Sequence, residues 1–260
     1  MGEANAMTSP SPTEETVPPD VRPYMLELRF QASAAAHLFQ SLEEKVKERK
    51  RLAEVIQRIN RDGGPPPLEM ERLEYQRHLK SMANLVGPIL GDVQGFFAAL
   101  GVIASILWPS ERKFRDESDE AVNARVRRGA EIRRILGVRE DSKLKTRTGR
   151  DEDVRGGLLH FDEMIDEFAQ VQESDNFVPL DIGSSKLGTA LARSKAVRWL
   201  DEDSLDLWVN GRQGNLRQLR EELQRTVGKI QLSASLDFVS SARRAGDAFP
   251  FGMSLRVSSK

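Results

Sequence analysis

Apolar residues recur at three- and four-residue steps along most of the chain, the spacing that lines one side of an α-helix. Over 24–60, Leu26, Phe30, Ala34, Leu38 and Leu42 give such a helix an apolar side, and the stretch from Glu43 to Arg58 is charged densely enough for a solvated surface. The opening residues 24–30 partly alternate, a pattern that a short strand shares. Gly63-Gly64-Pro65-Pro66-Pro67 is a firm break. A second long helix is expected over 68–107, kinked or interrupted at Pro88, with Leu79, Met82, Leu85, Ile89, Val93, Phe96 and Leu100 forming the central core. Pro109-Ser110 ends it. The third helix spans 118–136, buries Val122, Val126, Ile132 and Leu136, and stops at Gly137. A basic connection leads to a fourth helix that reaches about residue 173.

After Pro179 the texture changes. Residues 196–200, the polar turn Asp201-Glu202-Asp203-Ser204 and residues 205–209 read as strand, turn, strand. Asn215 with Gln218 resembles a capping box that opens a helix through Leu216, Leu219, Leu223 and Val227. The fold class that follows is mainly α, a four-long-helix bundle with a small C-terminal β-hairpin and an added helix. Its expected divisions are a disordered tail over 1–22, a bundle over 23–175, a hairpin-plus-helix appendage over 176–240 and an irregular tail over 241–260.

Composition narrows the class. Charged residues make up 30% of the chain, aromatics 6%, and the net charge is −1, which describes a helix-rich soluble protein better than a basic nucleic-acid coat. The absence of cysteine excludes disulfides, thiolate catalysis and cysteine-based zinc sites, and fits a reducing cytoplasm. The first twenty residues carry no Lys or Arg, unlike a secretion signal. Residues 85–108 are apolar apart from Asp92, Gln94 and Ser105, but their most apolar part, 96–108, is short for a bilayer. A buried core helix is expected there, and no membrane partner.

Chemistry concentrates in Arg155-Gly156-Gly157-Leu158-Leu159-His160, which continues as Phe161-Asp162-Glu163. On a regular helix Leu158, Phe161, Ile165 and Phe168 form the core stripe, and Arg155 and His160 flank it from opposite sides. Gly156-Gly157 disfavours helix, so Arg155 can precede the regular turns. Imidazole titrates near neutrality and can take a proton from a ribose 2′-hydroxyl or return one to a leaving oxygen. Guanidinium offers a fork of donors to phosphate. The plain alternative pairs Arg155 with Asp162 and leaves His160 on a helix surface. A metal site is disfavoured, because Gly157 interrupts any Glu-x-x-His motif and His78, near Glu71 and Glu74, lacks that spacing too. His37, among alanines, reads as core-facing. No cofactor is expected.

The ending His160-Phe161-Asp162-Glu163 after Arg-x-x-x-x-His resembles the HEPN superfamily, in particular a group with Arg-Asn-x-x-x-His-Phe-Asp-Glu. The likeness extends from about 24 to 227, and its specific part is about a dozen residues. It implies a helical bundle that homodimerises and cleaves RNA without a metal, with Arg155 binding phosphate and His160 as the acid–base residue. Gly156 departs from the pattern, which usually has a polar residue there. The region before the motif is the most basic in the chain, so Arg127, Arg134, Lys143, Lys145, Arg147 and Arg150 are candidate contacts to RNA phosphates, or a solvated face of ion pairs. Two functions stay open: an endoribonuclease of defence or toxin type, and a non-catalytic helical protein that binds itself or a partner protein.

Overall fold

A computed structural model describes residues 18–61, 69–145, 181–183, 198–209 and 212–228. Among them are helices α1 (Arg22–Arg61), α2 (Glu69–Asn84), α3 (Val86–Leu107), α4 (Asp119–Leu136) and α5 (Leu216–Val227). The strands are β1 (Asp181–Gly183), β2 (Arg198–Asp201), β3 (Asp206–Val209) and β4 (Arg212–Asn215). The protein is mainly helical with a small C-terminal sheet. The fourth expected long helix lies outside the described residues, as do both expected tails apart from residues 18–22.

The first helix is one element of 40 residues, about 60 Å long. Residues 24–30, which partly alternate, are helical. The buried positions Met25, Leu28, Ala35, Phe39, Leu42 and Val46 alternate three- and four-residue steps, the repeat of a helix packed lengthwise on a partner. That phase differs from the one expected. Leu26 and Phe30 face outward, and so does His37. The charged second half is not simply solvated either, because Val46, Leu52 and Ile56 are buried within it.

The partner is α3. Phe39 meets Phe96 at 5.7 Å between ring centroids, and Lys45 bonds Asp92 at 2.6 Å, so the two helices run antiparallel. The expected 68–107 helix is divided at Leu85, three residues before Pro88, which has no N–H for the turn preceding it. The two halves behave differently. Ile89, Val93, Phe96 and Leu100 are buried, whereas α2 buries no residue completely. The run Glu69–Leu107 contains a stretch long and apolar enough to cross a membrane by composition, yet many of α3's residues are covered by protein.

Caps define α4. The Ser118 hydroxyl accepts from Ala121 N–H, Asp119 and Glu120 favour the positive end, and Gly137 at φ 62° donates back to Arg133 and Arg134. Ile132 and Leu136 are buried, while Val122 and Val126 are only half-buried. Arg133 spans the junction with α3, donating to Leu107 O and pairing with Glu140 at 2.8 Å.

The hairpin forms as expected, with Trp199 opposite Trp208 at 4.3 Å, a cross-strand aromatic pair. Two strands had no clear sequence signal: β1, parallel to β2, and β4, antiparallel to β3. The sheet order is β1-β2-β3-β4. Asn215 caps α5 by accepting from Gln218 N–H at 2.9 Å, half of the expected box, since the Gln218 side chain accepts from Lys143 instead.

Gly129 on α4 faces Pro109, and a Cβ there would meet the proline ring and lie 3.0 Å from Leu107 O. Gly129→Ala should therefore destabilise the fold by about 1–3 kcal/mol despite alanine's better helix propensity, read as a lower denaturant midpoint.

Candidate functional site

Arg155 and His160 lie outside the described residues, as do Arg147 and Arg150. The described residues fix what stands on either side of them. After Gly137, Ser142 donates to Glu222 at 2.7 Å and Lys143 to Gln218, so the chain leaves for the motif from the surface of α5. It returns at β1, where Gly183 O accepts from the Glu202 N–H at 3.0 Å. Both points belong to the C-terminal sheet and helix.

Four proposed phosphate contacts are visible. Arg127 is exposed on α4, and Arg134, two turns further on, shares its side of the helix. Arg134 is held by Glu131 at 2.6 Å, and Lys145 by Glu140 at 2.9 Å. These pairs keep the Glu131 and Glu140 carboxyls below the usual carboxylate range, chiefly through the Arg134 and Lys145 hydrogen bonds. Arg127 and Arg134 thus lie together on α4, with Lys143 and Lys145 on the following link, and three of the four already have protein partners. Next to the start of α4, Phe114 projects into solvent with the Arg125 guanidinium 4.6 Å from its ring centre. Glu117 fixes both, accepting from Arg125 at 2.6 Å and from the Phe114 N–H at 3.0 Å.

No protein-family model, curated protein or solved structure matches the chain. Its chemistry must be argued from its own residues. His78 stands 3.9 Å from Glu74, one turn away on the same helix, and among the described residues no three His, Asp or Glu side chains gather as a metal site.

Among the described residues, a group of ion pairs that the sequence pattern does not single out joins α1 to the C-terminal part. Arg49 falls where the α1 repeat calls for a core residue, and its guanidinium meets the buried Glu202 carboxylate of the β2–β3 turn. Lys50 pairs with Asp203, and Glu43 pairs with Arg220 at 3.4 Å. Asp201 closes the turn by accepting from Asp203 N–H at 2.7 Å. Three acids in that turn opposite a basic stretch of α1 were the available signal. Burial pushes the Glu202 carboxyl above the usual carboxylate range, with Arg49 acting in the opposite sense. The Asp203 hydrogen bond holds Lys50 above the usual ammonium range. These pairs clamp the β2–β3 turn and α5 to α1.

Glu202→Ala should cost about 3–5 kcal/mol by stranding Arg49, and Arg49→Met with Glu202→Leu should recover most of it in denaturant melts. The sign of the pH effect follows from the raised folded-state value: folding favours protonated Glu202, so its contribution to stability rises as pH falls through that value. Wild type should therefore gain on Glu202→Gln between neutral and mildly acidic pH.

Proposed function

We propose that the chain is a HEPN-like helical protein acting in the cytoplasm as a metal-independent endoribonuclease through Arg155 and His160. The observation that carries this reading is Arg155-x-x-x-x-His160-Phe161-Asp162-Glu163, in a chain whose described part is mainly helical. In the reaction the ribose 2′-oxygen attacks phosphorus and the bond to the 5′-oxygen breaks. His160 accepts the 2′-hydroxyl proton or donates one to the leaving oxygen, and Arg155 stabilises the charge on the phosphoryl oxygens. A homodimer would bring two such pairs to one cleft. Exposed Arg127 and the Phe114 ring support the RNA reading, since phosphate attraction and base stacking are the two recurring contacts to single strands.

The second reading is a non-catalytic helical interaction protein. It is favoured by Gly156, which removes the amide usual at that position, and by the ion pairs that already occupy Arg134 and Lys145.

Incubation of the full chain with mixed RNA in chelator separates them. The catalytic reading requires products with 2′,3′-cyclic ends, and losses of at least about a hundredfold in His160→Ala and Arg155→Ala. Cleavage undiminished in His160→Ala, or no cleavage by wild type, leaves the interaction reading.

A further inference from the structure

The link between α3 and α4 holds an aromatic ring out in water and fixes it there. Phe114 is 63% exposed, and no other large apolar side chain from Pro109 to Leu136 is exposed. The Glu117 N–H donates to Phe114 O at 3.2 Å, closing a turn whose third residue, Asp116, sits at φ 66°, a position that glycine fills more easily. The Arg125 guanidinium lies over one face of the ring, 4.6 Å from its centre. It donates to the Glu117 carboxylate at 2.6 Å, to Ser110 O at 2.8 Å and to Arg112 O at 3.0 Å. These bonds set the loop and leave the other face of the ring to water. Before and after Phe114 in the sequence, Arg112 and Arg115 are exposed, and among the described residues neither has an ion-pair partner. Lys113, between them, is taken by Asp119 at 2.9 Å.

We infer that Phe114, backed by Arg125, is a stacking site for one base of a single-stranded nucleic acid, RNA or DNA alike, with Arg112 and Arg115 taking the phosphates on either side of that base. The state of the ring selects this occupant. A guanidinium on one face draws the π-electrons toward it, so the open face repels a second cation and accepts a neutral, electron-rich ring. A protein or lipid surface calls for contiguous apolar area of roughly a few hundred Å², which a lone ring among charged residues does not offer. Stacking needs one ring only, and every base has a π-face. The charge balance points the same way. Glu111 and Asp116 offset Arg112 and Arg115, whereas a segment that sits on anionic lipid carries an excess of Lys and Arg. Two phosphate contacts make the binding only mildly sensitive to salt, and the base carries most of it. Such binding needs no 2′-hydroxyl and does not rest on cleavage by Arg155 and His160.

Single-stranded DNA is therefore the probe, since it has no 2′-oxygen through which it could be cut. Fluorescence anisotropy of the full chain with a labelled oligodeoxyadenylate of about ten nucleotides should show binding. Oligoadenylate RNA, measured on His160→Ala so that it stays intact, should bind within about threefold of the DNA. Phe114→Ala should weaken both at least about tenfold with the helical circular dichroism retained, and Phe114→Trp should keep both. The slope of log affinity against log salt should be about −1.4, falling by about 0.7 in Arg112→Gln or Arg115→Gln. No binding by wild type, or binding that Phe114→Ala leaves unchanged, overturns the proposal. RNA binding without DNA binding overturns it as well, because recognition would then lie on the 2′-hydroxyl. Phe114-dependent flotation with phosphatidylserine vesicles, by a chain that binds neither oligonucleotide, overturns it in favour of a lipid surface.

Discussion

Phe39 is the side chain on which both halves of the molecule converge. It is completely buried, its ring packs on Phe96 of α3, and the Arg220 guanidinium of α5 sits 4.8 Å from its centre. Arg220 is held in turn by Glu43, one turn along α1. The hydrophobic contact between α1 and α3 and the docking of the C-terminal sheet and helix therefore share a single buried ring. Ten residues further along, Arg49 and Lys50 grip the β2–β3 turn. Ion pairs of this sort do not add much net stability, because desolvation offsets their attraction, but they fix orientation. Apolar burial decides that the sheet and helix pack on α1, and the charges decide at which level.

Much of this arrangement was legible in the residues. Gly137 and Asn215 cap their helices where their chemistry indicates, and the apolar spacing from Ile89 to Leu100 identifies the central helix. The phase of α1 was harder. Leu26, Phe30, Ala34 and Leu38 make as regular a stripe as Met25, Leu28, Ala35 and Phe39, and only the position of α3 decides between them. Arg49 obscured the second half for a related reason, since a cation at a core position breaks the apolar repeat unless its carboxylate, 153 residues away, is known. Strands β1 and β4 are three and four residues long, and their pairing with the hairpin, not their own pattern, makes them strands.

Arg155 and His160 approach the expected helix from opposite sides of its core face, so a single copy does not obviously gather them. The described part supplies the anchors: the chain departs toward the motif from α5 and returns to the sheet edge at β1, both held through α1. Loosening the grip of α1 on the sheet would therefore move the motif's two attachment points together.

The central claim, that Phe39 makes one cooperative unit of the bundle and the sheet, is tested most directly by native-state hydrogen exchange on Phe39→Leu. Amides of β2 and β3 at Leu200 and Leu207 should lose protection by the same free energy as those of α3 at Phe96 and Leu100, on the order of 1–2 kcal/mol. Loss confined to α3, with the strand amides protected as in wild type, would contradict it.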